Sequence, residues 1–168
     1  TVDANGNWSV TYPAGTLPGG EYETSVTVTA TDAAGNTSSL SDNVVVDTVA
    51  GDLALSTQPI EIDDVVNMVE SQDGVVINGT ATAGLIVTVG FGSSTMNVLA
   101  QPDGTWSANF PASMVPADQD AAQITASITD AAGNYKEVSD TVAIDTVVQP
   151  HEWSAAPIEG DNVINAAE

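Results

Sequence analysis

Along Gln123-Ile124-Thr125-Ala126-Ser127-Ile128-Thr129, apolar and polar side chains alternate with a period of two, which puts Ile124, Ala126 and Ile128 on one face of a half-buried strand. Val26, Val28 and Ala30 repeat the pattern nearer the N-terminus. The same reasoning predicts further strands at about 53–60, 75–81, 85–91, 94–100, 105–110 and 137–145. Turn signals divide them. Pro102-Asp103-Gly104 and Asn5-Gly6 are tight-turn sequences, placed just before strands that carry Trp106 and Trp8. No stretch shows helical periodicity. Seven short strands between residues 53 and 145 predict an all-β, two-sheet sandwich, with the tryptophans expected to fill the space between sheets.

The pattern also repeats on a larger scale. Thr29–Val49 (TATDAAGNTSSLSDNVVVDTV) recurs as Ser127–Val147 (SITDAAGNYKEVSDTVAIDTV), an offset of 98 residues. The offset maps Gly6 and Trp8 onto Gly104 and Trp106, and Asp63, Val65, Asn67 and Glu70 onto Asp161, Val163, Asn165 and Glu168. Roughly 27 of the 70 comparable positions are identical without a gap, which marks a tandem array. A unit of 98 residues suits one small domain. The joints are expected at Asp47-Thr48 and Asp145-Thr146, giving 1–48 as the C-terminal half of one repeat, 49–146 as a complete repeat and 147–168 as the start of a third. TVDANGNWSV at the N-terminus has neither a basic segment nor an apolar core, and reads as a fragment start rather than a signal peptide.

DGTW or NGNW, then a Pro-containing loop, then ITASITDAAGN and a strand ending in DT: this order resembles the bacterial immunoglobulin-like repeats of giant secreted adhesins of the RTX type. The resemblance covers essentially the whole chain. It implies immunoglobulin-like β-sandwich repeats in tandem, about seven strands per 98-residue unit, with neighbouring repeats of the same chain as partners. It further implies type I secretion and a place on the bacterial cell surface, in biofilm, ice-binding or host-attachment proteins. The chain departs from antibody domains in having no Cys pair, and its Trp follows a turn instead of lying on the central third strand.

Composition narrows the function. The chain of 168 residues carries 23 Asp or Glu against a single Lys, for a formal charge of -22. Nucleic-acid binding needs Lys and Arg to neutralise phosphates, and so large a negative field repels both a duplex and an anionic membrane surface. Cysteine is absent, which excludes disulfides, thiolate metal sites and cysteine nucleophiles. No apolar run approaches the ~20 residues of a membrane helix. Acidity often means disorder, but 42% hydrophobic residues are enough for a core, so the charge has to be managed at the surface. A divalent cation does this most simply.

Catalysis has little support: His151 is the only histidine, and its counterpart one repeat earlier is Leu53. Calcium fits better, because hard oxygen ligands in loops are what it takes. Asp63, Asn67 and Glu70, and their copies Asp161, Asn165 and Glu168, stand at positions 1, 5 and 8 of an acidic loop without the glycine or spacing of an EF-hand. In an immunoglobulin-like order this loop lies at the pole where the last strand ends, so Asp63, Asn67 and Glu70 are expected near Asp145. Asp130 in TDAAGN, like its copy Asp32, falls at the opposite pole and is expected to face the preceding linker and Asp47. Asp42, Asp140 and Lys136 read as ordinary surface, and Asp103 and Asn5 as turn formers.

The reading is therefore a non-enzymatic, calcium-stabilised stalk that gives rigid reach to a distal adhesive domain. The alternative is a module that grips carbohydrate or protein directly. Exposed loop aromatics would favour the latter, whereas Trp8 and Trp106 follow the core pattern.

Overall fold

Every second residue of Val75–Ala81 is buried, and so is every second residue of Thr105–Phe110, because two antiparallel strands with matched pleats turn the same set of side chains inward. In the computed structural model, which describes residues 5–148 together with Asp3 and Pro150, ten strands form. They are β1 (Glu21–Thr31), β2 (Thr37–Asp47), β3 (Leu53–Leu55), β4 (Val65–Asn67), β5 (Val75–Ala81), β6 (Ile86–Phe91), β7 (Ser94–Leu99), β8 (Thr105–Phe110), β9 (Gln119–Thr129) and β10 (Tyr135–Asp145). Single helical turns lie at Ile60–Ile62, Glu70–Asp73 and Ala112–Met114.

β3 to β10 make the sandwich, with a five-stranded sheet in the order β4-β10-β9-β6-β7 facing a three-stranded sheet in the order β3-β5-β8. Ala122, Ile124, Ala126 and Ile128 of β9 and Val87, Val89 and Phe91 of β6 pack against Val75 and Ile77 of β5 and Ala108 and Phe110 of β8. Phe91 and Phe110 meet edge to face across the sheets, ring centres 5.5 Å apart. Full burial of each of the Val, Ile and Phe side chains is worth about 1.5–3 kcal/mol, so this cluster is the main source of stability. Trp106, only 3% exposed, lies opposite Gly79 in the β5–β8 register. An ideal Cβ on Gly79 would stand 2.2 Å from the indole, so the absent side chain makes room for the ring.

All seven expected strands form, with changes at their ends. The first stops at Leu55 instead of reaching residue 60, because Gln58 N–H donates to Ser56 Oγ in a local turn and Pro59 has no N–H to continue a ladder. β4 was not anticipated: its three residues pair in parallel with the end of β10, and Val66 is completely buried.

β1 and β2 form a separate antiparallel hairpin of two eleven-residue strands, in the register Glu21 to Asp47 through Thr31 to Thr37. Here Trp8 corrects the expectation of a core anchor, since it is 51% exposed. Among the described residues no second sheet covers this hairpin, and a large ring is buried only where a facing sheet closes over it.

Candidate functional site

The DAAGN sequence explains its own shape. Asp130 Oδ1 accepts the backbone N–H of Asn134 at 2.8 Å, Gly133 takes φ +91° where a side chain would be strained, and Asp130 N–H donates to Asn134 O at 3.1 Å. The earlier copy is built alike, with Asp32 Oδ1 accepting from Ala34 N–H at 2.9 Å and Asn36 N–H at 2.8 Å. In both turns the Asn side chain donates to the other carboxylate oxygen of the Asp at 2.8 Å. That bond is the largest influence lowering the pKa of Asp32 and of Asp130 below the usual carboxylate value.

At the second copy the amide reaches further. Asn134 Nδ2 also donates to Asp47 Oδ1 at 3.0 Å and to Asp47 O at 3.3 Å, so one NH2 group faces three oxygens drawn from the end of β2 and from the β9–β10 turn. The structure thus brings Asp47 and Asp130 together through Asn134, a residue that the sequence reading took only as part of the turn. Asp32 stands at the tip of the β1–β2 hairpin and bonds within its own turn.

Lys136 is likewise more than surface. Half-buried, it sends Nζ to Gly51 O at 3.3 Å, four residues beyond the Asp47 that Asn134 holds. The linker itself is held on both sides: Gly20 N–H donates to Thr48 Oγ1 at 2.7 Å, and Asp52 N–H donates to Thr82 Oγ1 at 2.9 Å. Gly51 has φ +90°, and a Cβ there would lie 2.4 Å from Thr82 Oγ1.

The opposite pole holds the acidic loop. Asn67 pairs with Asp145 in the β4–β10 register, and both line an open cleft with Met68, Thr146, Val147 and Val148. Asp63 and Glu70 make their hydrogen bonds inside the loop: Asp63 Oδ1 accepts from Val65 N–H at 3.1 Å, and Glu70 Oε2 from Asn67 N–H at 2.9 Å. Asn67 Oδ1 accepts from Val69 N–H at 2.8 Å and Glu70 N–H at 3.2 Å, so the spacing read as a ligand pattern also forms a reciprocal cap on the Glu70–Asp73 turn. Glu61 was missed. Burial and then the nearby carboxylates of Glu70 and Asp73 raise its pKa, and the chain around it is strained, with Glu61, Ile62 and Asp64 all at positive φ. Asp161, Asn165 and Glu168 lie outside the described residues. Among the described residues, no three His, Cys, Asp or Glu side chains gather as a metal group, so a cation here would also draw on amides, carbonyls and water.

Residues 1–48 match the model of a family described as bacterial Ig-like domain, and residues 79–146 match a second model with the same description. The chain belongs to the bacterial Ig-like domains. Among solved structures, this bacterial Ig-like chain is similar to part of a 1.5-MDa bacterial ice-binding adhesin, at 29% identity and TM-score 0.48, over 74% of this chain and 42% of that one. It is also similar to a Ca2+-stabilized adhesin of an Antarctic bacterium, at 30% identity and TM-score 0.47, over 87% of this chain and 37% of that one. A third similar structure is a bacterial immunoglobulin-like domain from the M. primoryensis ice-binding adhesin, at 28% identity and TM-score 0.42, over 57% of this chain and 98% of that one. The chain thus spans well under two thirds of the first two. No curated protein matches it.

Proposed function

We propose that this chain is a stretch of extender repeats from a large bacterial cell-surface adhesin, in which Ca2+ stabilises successive Ig-like units that give rigid reach to a distal adhesive domain. The observation that carries the reading is the convergence of Asp47 Oδ1, Asp47 O and Asp130 Oδ2 on one point, 2.8–3.3 Å from the Asn134 Nδ2 that bridges them without an ion and that a cation would have to displace. These oxygens come from both sides of one joint, in a chain of net charge -22. A hard cation suits such a donor set, and water would complete its six to eight contacts. Asn67 and Asp145, paired at the far pole of the second unit, are in position to begin the next joint, to which Asp63, Glu70, Asp161, Asn165 and Glu168 belong in this reading.

The proposal places the joints at Thr48 and Thr146, the protein outside the cell after type I secretion, and biofilm or host attachment among its uses. It assigns no catalysis to the repeats. Extracellular modules bind calcium at about 10⁻⁴–10⁻³ M, so the joints would be empty in the cytosol and filled outside. At a hundredfold excess of free Ca2+ over Kd, one site adds about 2.7 kcal/mol. The direct-binding alternative gains nothing in the complete unit, where Trp106 is core rather than an exposed platform.

Calorimetric titration with Ca2+, thermal melting in Ca2+ against EGTA, and small-angle scattering in both states test the proposal. The expected result is saturable binding and a higher Tm with calcium, with an extended particle in both states. No saturable binding and equal melting in the two states would overturn it.

A further inference from the structure

We propose that Asn134 and Lys136 form a metal-free latch that locks the linker between the two units in a single conformation. This goes beyond the calcium reading, because the latch acts with no ion bound.

Each linker residue is tied down. Thr48 N–H donates to Gly20 O at 3.0 Å, Val49 N–H to Asp47 Oδ1 at 3.3 Å, and Ala50 is buried. Gly51 O accepts from Lys136 Nζ, and Asp52 is bonded in both directions to Thr82, whose N–H donates to Asp52 O at 3.0 Å. Asn134 holds the first residue of the joint by two oxygens of Asp47. Lys136 is the chain's one lysine or arginine, and it is placed on the strand that follows the turn holding Asp130 and Asn134. The Lys136 ammonium satisfies a linker carbonyl from β10, which Asn134 does not reach.

The two halves of the latch differ in how general they are. Asn134 has an identical counterpart in Asn36, so that half belongs to the repeat. Lys136 is replaced by Ser38 one repeat earlier, so that half is particular to this joint. Asn alone leaves Gly51 O without its donor, and the lysine makes the linker rigid from both ends.

The test is ¹⁵N relaxation on the full chain in EDTA, read at the amides of Thr48, Gly51 and Asp52. The wild type is expected to show order parameters of ~0.85 there, equal to those of β5 and β9, and the Asn134→Ala/Lys136→Ser double variant values below ~0.6. Lys136→Met, which keeps the apolar stem and removes the donor, should loosen Gly51 alone, and Lys136→Arg should restore it. That pair keeps the result readable even where Asn134→Ala disturbs its own turn. Linker amides as mobile in the wild type as in the double variant, or as rigid in the double variant as in the wild type, would overturn the latch. Calcium is then added to the wild type. A linker that is mobile in EDTA and stiffens with Ca2+ sinks the latch and spares the calcium reading, whereas a linker rigid throughout, with no response at Asp47 and Asp130, does the reverse.

Discussion

Replacing Gly79 by Ala is expected to destabilise the β3–β10 sandwich strongly, although alanine in place of glycine within a strand would ordinarily help by about 0.5–1 kcal/mol. The added Cβ would stand 2.2 Å from Trp106 Cζ2 and 2.3 Å from the carbonyl oxygen of Ala54. Ordinary carbon contacts are about 3.5–4.0 Å, so the ring must shift on one side and β3 on the other. Neither move is easy. The indole is buried, and β3 has only three residues with which to hold Leu53 in the core. Overpacking of this kind costs about 1–3 kcal/mol, and partial loss of Leu53 burial adds up to about 1.5–3 more. Against the strand-entropy gain, the net loss is about 2–3 kcal/mol, or a fall in Tm of roughly 10–20 °C for a domain of this size. Scanning calorimetry of the full chain, with near-UV circular dichroism to follow the indole, provides the assay. A variant as stable as the wild type would refute the account of Gly79 as the seat of the Trp106 ring.

Trp106 Nε1 is buried without an acceptor among the described residues, so Trp106→Phe removes a group whose isolation costs about 1–3 kcal/mol and should lower stability by less than about 1.5 kcal/mol. Trp106→Ala should lose about 3–5 kcal/mol when both variants are compared by urea titration; equal losses for the two would contradict this. Glu61→Gln should raise Tm at neutral pH. The folded-state pKa of Glu61 is raised, so its ionised form is penalised at all pH values above that pKa, and the advantage of the variant should shrink as pH falls through it toward the ordinary value. Asp130→Asn should behave in the opposite sense. The pKa of Asp130 is lowered, so its contribution is present above the ordinary carboxylate value and lost as pH falls through the folded one; wild type and variant should converge in acid when Tm is followed from pH 7 to pH 2.

The strands were readable because one face of each meets a core. β5, β8 and β9 show clean alternation, and their positions follow from it. β4 could not be found that way: three residues containing two adjacent valines have no period, and what makes them a strand is the end of β10 lying alongside. Trp8 failed for a related reason, since burial belongs to the facing sheet and not to the residue. At the joint, topology was enough to place Asp130 near Asp47, but the group that links them is an amide, and local pattern does not reveal a contact between residues 87 apart. Lys136 was passed over because its counterpart is serine. Repeat comparison rewards what the copies share, and here the difference carried the information. Asp63, Asn67 and Glu70 were chosen for oxygen chemistry, while the backbone of their own loop claims several of those oxygens first.

Gly51 has one more consequence. The segment leading into the second unit fits a notch beside Thr82 that only glycine enters, whereas the position one repeat later is Gln149. An approach segment is therefore tailored to the unit that follows it, even though the units themselves look interchangeable. Arrays of similar copies invite unequal crossing-over, and rearrangements that cut at the sandwich boundary would deliver the wrong lead-in to a domain. Those that carry each lead-in along with its own domain leave the fit intact, which makes the lead-in plus sandwich, rather than the sandwich alone, the heritable module.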